Sequence, residues 1–492
     1  MLCSLKNHFK TYFISFLLVV VGIHPLWALS EIDRKCYADI LSLQQSPALQ
    51  QLSQRKDMTA QFLKQFQSAV YLALSEDYNQ KDKLIKQIEA QIDVLEAQKL
   101  HSETFYFCYT ELLTVLAIVK IRFEMRLGAV WTLRKAFAEL SAFQSRFPKS
   151  KLPLKNLGAL NVLSASAPPR YQWAMKLIGL SGNQKKGFQM LDSASQGTDP
   201  RALQARVYKM LLQTYVLRAQ TEFLASQLLL QNPTNNLIMF FHGMVLLRNK
   251  KNKEAQKLFQ SLLPIQSKLP YAQYAMAETL LYELNYDKAK QHYEQFLLCY
   301  HGQNFRKDAH FKLFIIHYLS QSSLSLETKT AYAQKINEAG IQSTEQDAYA
   351  SKVGVNIANI SSPALIKARL AYDGGYFNEA LALLQNIDIN VYAPKSPQRT
   401  ELYYRLGLIF LNMKVHAQAL KWLDMAYNEG ASLPHFYAAN AALQLGLLYR
   451  DVFKDPENAR LYWQHALDTP EHEYKNAIDD KAHAYIKQSL KK

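Results

Sequence analysis

The chain has 492 residues, 49% of them hydrophobic, and a formal net charge of +16. That length exceeds what one core supports, and that apolar content excludes wholesale disorder. Only 16 Gly and 16 Pro, against 29 Tyr and 24 Phe, exclude a many-stranded sheet with tight hairpins and favour helices joined by short connections.

Residues 1–30 read as a cleaved export signal. Lys6 and Lys10 form a positive start, Tyr12 to Ile23 is an uncharged apolar run, and Ala28-Leu29-Ser30 supplies the small residues of a cleavage site. An uncleaved anchor is the alternative, but the run is short of the ~20 residues that span a bilayer, and Pro25 follows it. Cleavage leaves a net charge of +14 and three cysteines, Cys36, Cys108 and Cys299. An odd, widely spaced set is neither a disulfide framework nor a zinc site. Asp33, Arg34 and Lys35 stand where a lipobox before Cys36 would need apolar and small residues. Cys108, in an apolar helix, reads as a core residue. The most apolar later stretch, Leu112 to Phe123, carries Lys120 and Arg122, so no uncharged run of spanning length follows the signal.

From residue 31 to about 200 the pattern is helical with weak internal repetition: Ala117 is followed by Ala129, Leu133 and Ala136, and Gly182 opens a turn before Gly187 and Leu191. Between 201 and 320 the repetition sharpens. Gly243 and Leu246 precede Ala255, Phe259 and Leu262; Ala277 and Leu280 precede Ala289, Tyr293 and Phe296; and Ala255 to Ala289 is 34 residues. Residues 321–361 read as a helical connection, polar over Ser320 to Thr330 and weakly helical from 331 to 361. Three further copies fill 362–468. In the first, ARLAYDGGYFNEALALL, Ala368 to Leu384, the adjacent Gly374 and Gly375 would spoil one continuous helix, and they make sense as the turn of an antiparallel pair with Ala380 at its close approach. In the second, Tyr403, Leu406, Gly407 and Phe410 face Ala419, Leu423 and Ala426; in the third, Gly446 precedes Ala459, Trp463 and Ala466, with Pro470 as the stop. A last amphipathic helix, Glu471 to Lys492, carries Tyr474, Ile478, Ala482, Tyr485 and Ile486 on one face and reads as a cap.

Small residues at matched offsets around a turn, at a period of 34, are the pattern of the tetratricopeptide repeat. The expected fold is all-α: a tetratricopeptide-like α-solenoid of antiparallel helix pairs with a C-terminal capping helix. Spacings of 39 and 40 between Ala380, Ala419 and Ala459 mark longer connections in the C-terminal copies. The whole chain also resembles a group of predicted exported tetratricopeptide proteins of unknown function from Gram-negative bacteria. The matching stretches are AVWTLRKAF (129–137), PPRYQWAMKLIGLSGNQKKG (168–187), LIKARLAYDGGYFNEAL (365–381), FYAANAALQLGLLY (436–449) and HEYKNAIDDKAHA (472–484). The resemblance implies the fold and export to the periplasm or cell envelope, and it supplies no activity.

Catalytic patterns are thin. His310 and His317 lie two turns apart with no third ligand in metal spacing, His472 and His483 make no HExxH, and no phosphate loop, GxSxG elbow or CxxC occurs. Neither enzyme activity, nor a cofactor, nor a metal is expected. In a tetratricopeptide array the first helix of each pair lines the concave surface. Carried over repeat by repeat, that places Phe240, Met244 and Arg248; Tyr271, Tyr274, Glu278 and Tyr282; Arg369 and Tyr372; Tyr404, Leu408 and Asn412; and Arg450 on the binding face. Tyr and Arg dominate this set, as they do where partners dock. The expected function is a scaffold for a peptide or protein partner. The alternative is peripheral binding of lipopolysaccharide or phospholipid through the +14 charge; export argues against nucleic acid, and the oligomeric state is open.

Overall fold

The computed structural model describes residues 29–98, 102–167, 179–321, 324–357 and 360–489. The expected signal, save its last two residues, lies outside them, as do 168–178 of the resembling segment 168–187 and the final 490–492. Among the described residues there are 24 α-helices and no strand.

The chain divides into two compact units. Residues up to Thr279, with Asp287–Ile315 and Ser325–Ile357, form the first; Leu280–Tyr286, Ile316–Leu324 and the chain from Ala358 onward form the second. The expected segments 31–200 and 201–320 thus fall largely within the first unit. In chain order the helices are α1 (Glu31–Ser42), α2 (Pro47–Gln51), α3 (Met58–Ser75), α4 (Lys81–Gln98), α5 (Glu103–Arg122), α6 (Arg126–Arg146), α7 (Leu154–Ala165), α8 (Gln184–Ala194), α9 (Pro200–Tyr215), α10 (Glu222–Gln231), α11 (Asn236–Arg248) and α12 (Asn252–Leu262). There follow α13 (Tyr271–Tyr282), α14 (Tyr286–Cys299), α15 (Arg306–Ser320), α16 (Leu326–Glu338) and α17 (Glu345–Val355). The remainder are α18 (Pro363–Gly374), α19 (Phe377–Gln385), α20 (Pro397–Asn412), α21 (His416–Gly430), α22 (Tyr437–Leu448), α23 (Pro456–Asp468) and α24 (Lys475–Ser489).

The starts are written locally. Asp199, Ser396 and Asp455 each accept a backbone N–H of the first turn and are followed by proline at the first helical position. There the missing N–H costs nothing and the fixed φ suits the helix. The reversals are written by backbone geometry. Glu124, Lys250, Leu284, Gly375 and Lys414 take φ of 60, 60, 59, 85 and 60°. Just beyond each, an N–H closes back onto a carbonyl in the last helical turn: Met125 onto Lys120, Lys251 onto Leu246, Asn285 onto Leu280, Tyr376 onto Ala371 and Val415 onto Phe410, every one at 2.9 Å. This is the Schellman closure of a helix end. Gly374 and Gly375 therefore lie at a reversal of direction, as expected.

Within a pair, a small residue on the first helix seats a large one from the second. A methyl group on Gly243 would come within 2.6 Å of the Phe259 ring, on Gly407 within 2.6 Å of Leu423 Cγ, and on Gly446 within 2.2 Å of Trp463 Nε1. The partner follows by 16 residues in the first two pairs and 17 in the third. The extra residue is absorbed by a π-helical turn, Tyr449–Phe453, at the end of α22. The closing bond there, Asp455 N–H onto Tyr449, is correspondingly one residue longer than in the other turns, at 3.0 Å. Ala380, Leu384, Ala419, Leu423, Ala426, Ala459, Trp463 and Ala466 are all buried in the second unit, stacking consecutive pairs in α-solenoid fashion.

Three expectations are refined. α5 is long and apolar enough to cross a membrane by length and composition, yet 83% of its apolar window is buried inside the fold, with Arg122 paired to Glu76. Within 331–361 the described residues include regular helix, the end of α16 to Glu338 and α17: α17 is capped by Thr344, and Asp347 accepts the Phe305 and Asp308 N–H groups at 2.6 and 3.1 Å. The capping helix begins at Lys475 rather than Glu471. Ile478 and Ala482 are buried and Tyr485 lies 5.4 Å from Trp463, but Tyr474 sits before the helix at φ 61° and is exposed.

Candidate functional site

The face formed by the first helices of successive pairs is best developed in the second unit. On α18, Arg369 and Tyr372 fall one turn apart and both are half-buried; on α20, Tyr404, Leu408 and Asn412 follow at four-residue steps, from buried to exposed. Side chains cross from pair to pair. Asn412 Nδ2 donates to Tyr372 Oη at 2.9 Å, and Asn440 Nδ2 of α22 donates to Tyr404 Oη at 2.7 Å. The same asparagine-to-tyrosine step is thus made twice along three helices. It leaves each phenol oxygen hydrogen-bonded and each ring packed: Tyr404 lies 5.5 Å from the Tyr437 ring and 5.9 Å from that of Phe436.

Beneath this rung a buried ion pair sets the charge. Glu401 accepts from both Arg405 Nε (2.7 Å) and Nη2, and from Ser361 Oγ at 2.5 Å. Burial alone would raise the Glu401 carboxyl, but Arg405, the serine and Arg369 together hold it below its ordinary value. Two further charges act here: burial pushes the Tyr372 and Tyr404 phenols up and Asp373 adds to the rise, and Arg369 acts on both members of the pair. Arg450, at the far end, binds Asp451 at 2.6 Å and lies over the Trp463 and Tyr485 rings at 5.7 and 5.6 Å.

Residues expected on this face in the chain before α18 have different settings. Phe240 is half-buried 5.9 Å from the Phe259 ring, Met244 is half-buried on α11, and Arg248 is an exposed residue whose guanidinium bonds the Thr214 carbonyl and lies 5.7 Å from the Tyr215 ring. Tyr274 and Glu278, expected as contact residues, are buried: Tyr274 donates to Asp308 at 2.5 Å, and Glu278 accepts from Lys312 at 2.7 Å and from Tyr293. The cause is α15, whose Asp308 and Lys312 reach onto α13 and consume its polar groups. Tyr271 belongs to a second enclosed cluster described next. Tyr282 packs at the α18–α19 reversal, where a methyl group on Gly374 would meet its Cβ at 2.8 Å.

Two buried polar hubs were not singled out from sequence. Glu76, fully buried, bonds Arg122 at 2.9 Å, the Tyr300 and Tyr271 hydroxyls at 2.6 and 3.0 Å, and the Gln303 and Asn304 backbone N–H groups. Glu111 accepts from Lys155 at 2.5 Å, Asn156 at 2.8 Å and Tyr37 at 2.7 Å. Charges inside apolar runs, such as Arg122 in α5 and Glu111 three residues after Cys108, were the available signal. Both hubs saturate their carboxylates with donors from the fold, which suits packing rather than acid–base chemistry.

Among the described residues no three His, Cys, Asp or Glu side chains cluster as metal ligands. Burial pushes His310 down to about 4, keeping it neutral, and pushes the Cys36 thiol up to about 11 and that of Cys108 higher still.

No protein-family profile matches the chain. Among solved structures it is similar to a tetratricopeptide repeat protein from Parabacteroides merdae, at 16% identity over 58% of this chain and 98% of that one, with a TM-score of 0.24. It is also similar to the Cut9–Hcn1 assembly of the APC/C, at 12% identity over 94% and 97% with a TM-score of 0.25. A third likeness is to the human IFIT1 dimer with m7Gppp-AAAA, at 11% identity over 84% and 86% with a TM-score of 0.28. The chain is built of tetratricopeptide-like helix pairs. That form rests on its own contacts, Gly243 on Phe259, Gly407 on Leu423 and the repeated 2.9 Å closures, not on these scores.

Proposed function

We propose that this protein is a non-catalytic scaffold whose α18–α20–α22 face binds a peptide or protein partner. One observation carries the reading: the Asn412–Tyr372 and Asn440–Tyr404 bonds repeat the same polar step from helix to helix. Tyr404, expected as a contact residue, is itself buried, so it serves as a support: the two bonds fix half-buried Tyr372 and exposed Asn412 beside Arg369 and Leu408, an ordered surface for a partner. The pattern of residues 1–30 supports export, so the working location is the periplasm or envelope of a Gram-negative cell.

The test is site-specific photocrosslinking from position 408 in cells, which leaves both asparagine–tyrosine bonds in place, with partners identified after capture. Capture that is lost with Arg369→Glu or Tyr372→Ala but kept with Gln418→Ala, on the exposed side of α21, supports the reading. Capture indifferent to all three substitutions refutes it. Retention only on anionic vesicles, weakening steeply with salt, would instead favour the lipid-binding alternative that the +14 charge suggests. Fractionation, with N-terminal sequencing of the recovered chain, tests export.

A further inference from the structure

The first unit contains a cleft of about 260 Å³ where the end of α1, the middle of α3 and the start of α4 meet the segment leading into α13. Ile40, Leu43, Val70 and Leu84 form its apolar wall, and Tyr71 turns its hydroxyl away to Asp77 at 2.7 Å. The cation among the lining residues is Lys268. None of the residues lining the cleft is acidic.

Lys268 Nζ donates to the Leu43 carbonyl at 3.3 Å, which accounts for one of its three protons. Leu43 is the left-handed residue closing α1, so the ammonium also faces the negative end of that helix. Lys268 shares the lining with the apolar wall and with Gln44, Gln67 and Ser68, which are polar but neutral, so nothing in the cleft supplies a counter-charge. Burial lowers the amine's pKa, and no carboxylate offsets that loss. A cation half-withdrawn from water beside hydrocarbon is best satisfied by an anion carrying its own hydrocarbon.

We propose that this cleft binds a short aliphatic monocarboxylate, its head on Lys268 and its chain along Ile40, Leu43, Val70 and Leu84. The volume sets the length. At ~30 Å³ per water-sized group, the space encloses about nine heavy atoms, which is a seven-carbon acid; the cleft is open to solvent, so an eight-carbon acid leaves one atom at its mouth. This site lies on α1, α3 and α4, apart from the face argued above, and stands or falls independently of it.

The test is calorimetric titration of the full exported chain with sodium octanoate, alongside octanol. Saturable one-to-one binding is expected. Octanol, and Lys268→Met with octanoate, should each bind at least about tenfold more weakly, the worth of one charge-assisted hydrogen bond. Lys268→Arg should keep most of the affinity. Because Lys268→Met also removes a donor from Leu43, Leu84→Trp provides a second arm: it fills the cleft, leaves Lys268 in place and should abolish binding without lowering the unfolding midpoint. Octanol binding as tightly as octanoate, octanoate binding undiminished in Leu84→Trp, or no saturable binding at millimolar octanoate would each overturn the proposal. So would a peptide with a free C-terminal leucine that outcompetes octanoate, since the occupant would then be a chain end.

Discussion

The five matched reversals allow one substitution to be worked through in both directions. Lys414 sits at φ 60° between α20 and α21, exposed, with its side chain absent from every cluster of the core. A left-handed conformation costs a residue with a Cβ roughly 1–2 kcal/mol. Glycine removes that cost but adds roughly 0.5–1 kcal/mol of unfolded-chain entropy. Lys414→Gly should therefore stabilise the pair by about 0.5–1 kcal/mol. Gly375, at φ 85° in the neighbouring reversal, is the mirror experiment: Gly375→Ala should destabilise by a similar ~0.5–1 kcal/mol. Repeat arrays need not unfold in one step, so a global midpoint is a poor readout. Native-state hydrogen exchange at the α20–α21 and α18–α19 amides is direct, and the expected changes in protection are about two- to fivefold, upward for Lys414→Gly and downward for Gly375→Ala. A Lys414→Gly chain exchanging faster, or a Gly375→Ala chain exchanging more slowly, would refute the view that backbone conformation, and not the side chain, specifies these turns.

Two further outcomes follow from the buried charges. Glu76→Gln leaves the Arg122 guanidinium enclosed without its counter-ion, and the thermal unfolding of the first unit should lose about 3–5 kcal/mol; a loss under 1 kcal/mol would show that water reaches Arg122. Asp347 is held up at about 7 by burial, with Asp308 adding to the rise and the Thr344 hydroxyl and the Phe305 and Asp308 N–H groups opposing it. Between the ordinary 3.8 and about 7 the folded chain keeps a proton that the unfolded chain has released, so stability should fall as pH rises through that window. Asp347→Asn, weaker overall because its amide nitrogen cannot accept, should flatten the slope in urea midpoints taken at pH 5 and 7.5. An unchanged slope would place the titration elsewhere.

The helix pairs were legible because they depend on side-chain size at fixed offsets, which sequence records directly: Gly407 with Leu423 and Ala368 with Leu384 needed no coordinates. The turns were only partly legible. Gly375 announced itself, but Glu124, Lys250, Leu284 and Lys414 adopt the same backbone without a residue type that advertises it. The face was legible by register and misjudged by depth. Carrying positions over from an ideal repeat assumes that nothing lies across the first helix, and α15 lies across α13, so Tyr274 and Glu278 became interior groups. Asn440, one of the two donors in the polar rungs, was overlooked because an asparagine in an alanine-rich helix carries no periodic signal. Glu76 was out of reach for a different reason: its partners stand at Arg122, Tyr271, Tyr300 and Asn304, and no local pattern joins residues separated by tens to hundreds of positions.

The π-helical turn at Tyr449–Phe453 bears on how such chains change length. A single inserted amino acid ordinarily rotates everything downstream by about 100° and would swing Trp463 off its seat on Gly446. By widening one turn instead, α22 confines the insertion to a local swelling, and Ala459, Trp463 and Ala466 are buried as Ala419, Leu423 and Ala426 are in the preceding pair. A hairpin tip can thus hold one residue more than its neighbour's while the stem stays in place, and counting by a fixed period will miss repeats that the folded chain still keeps.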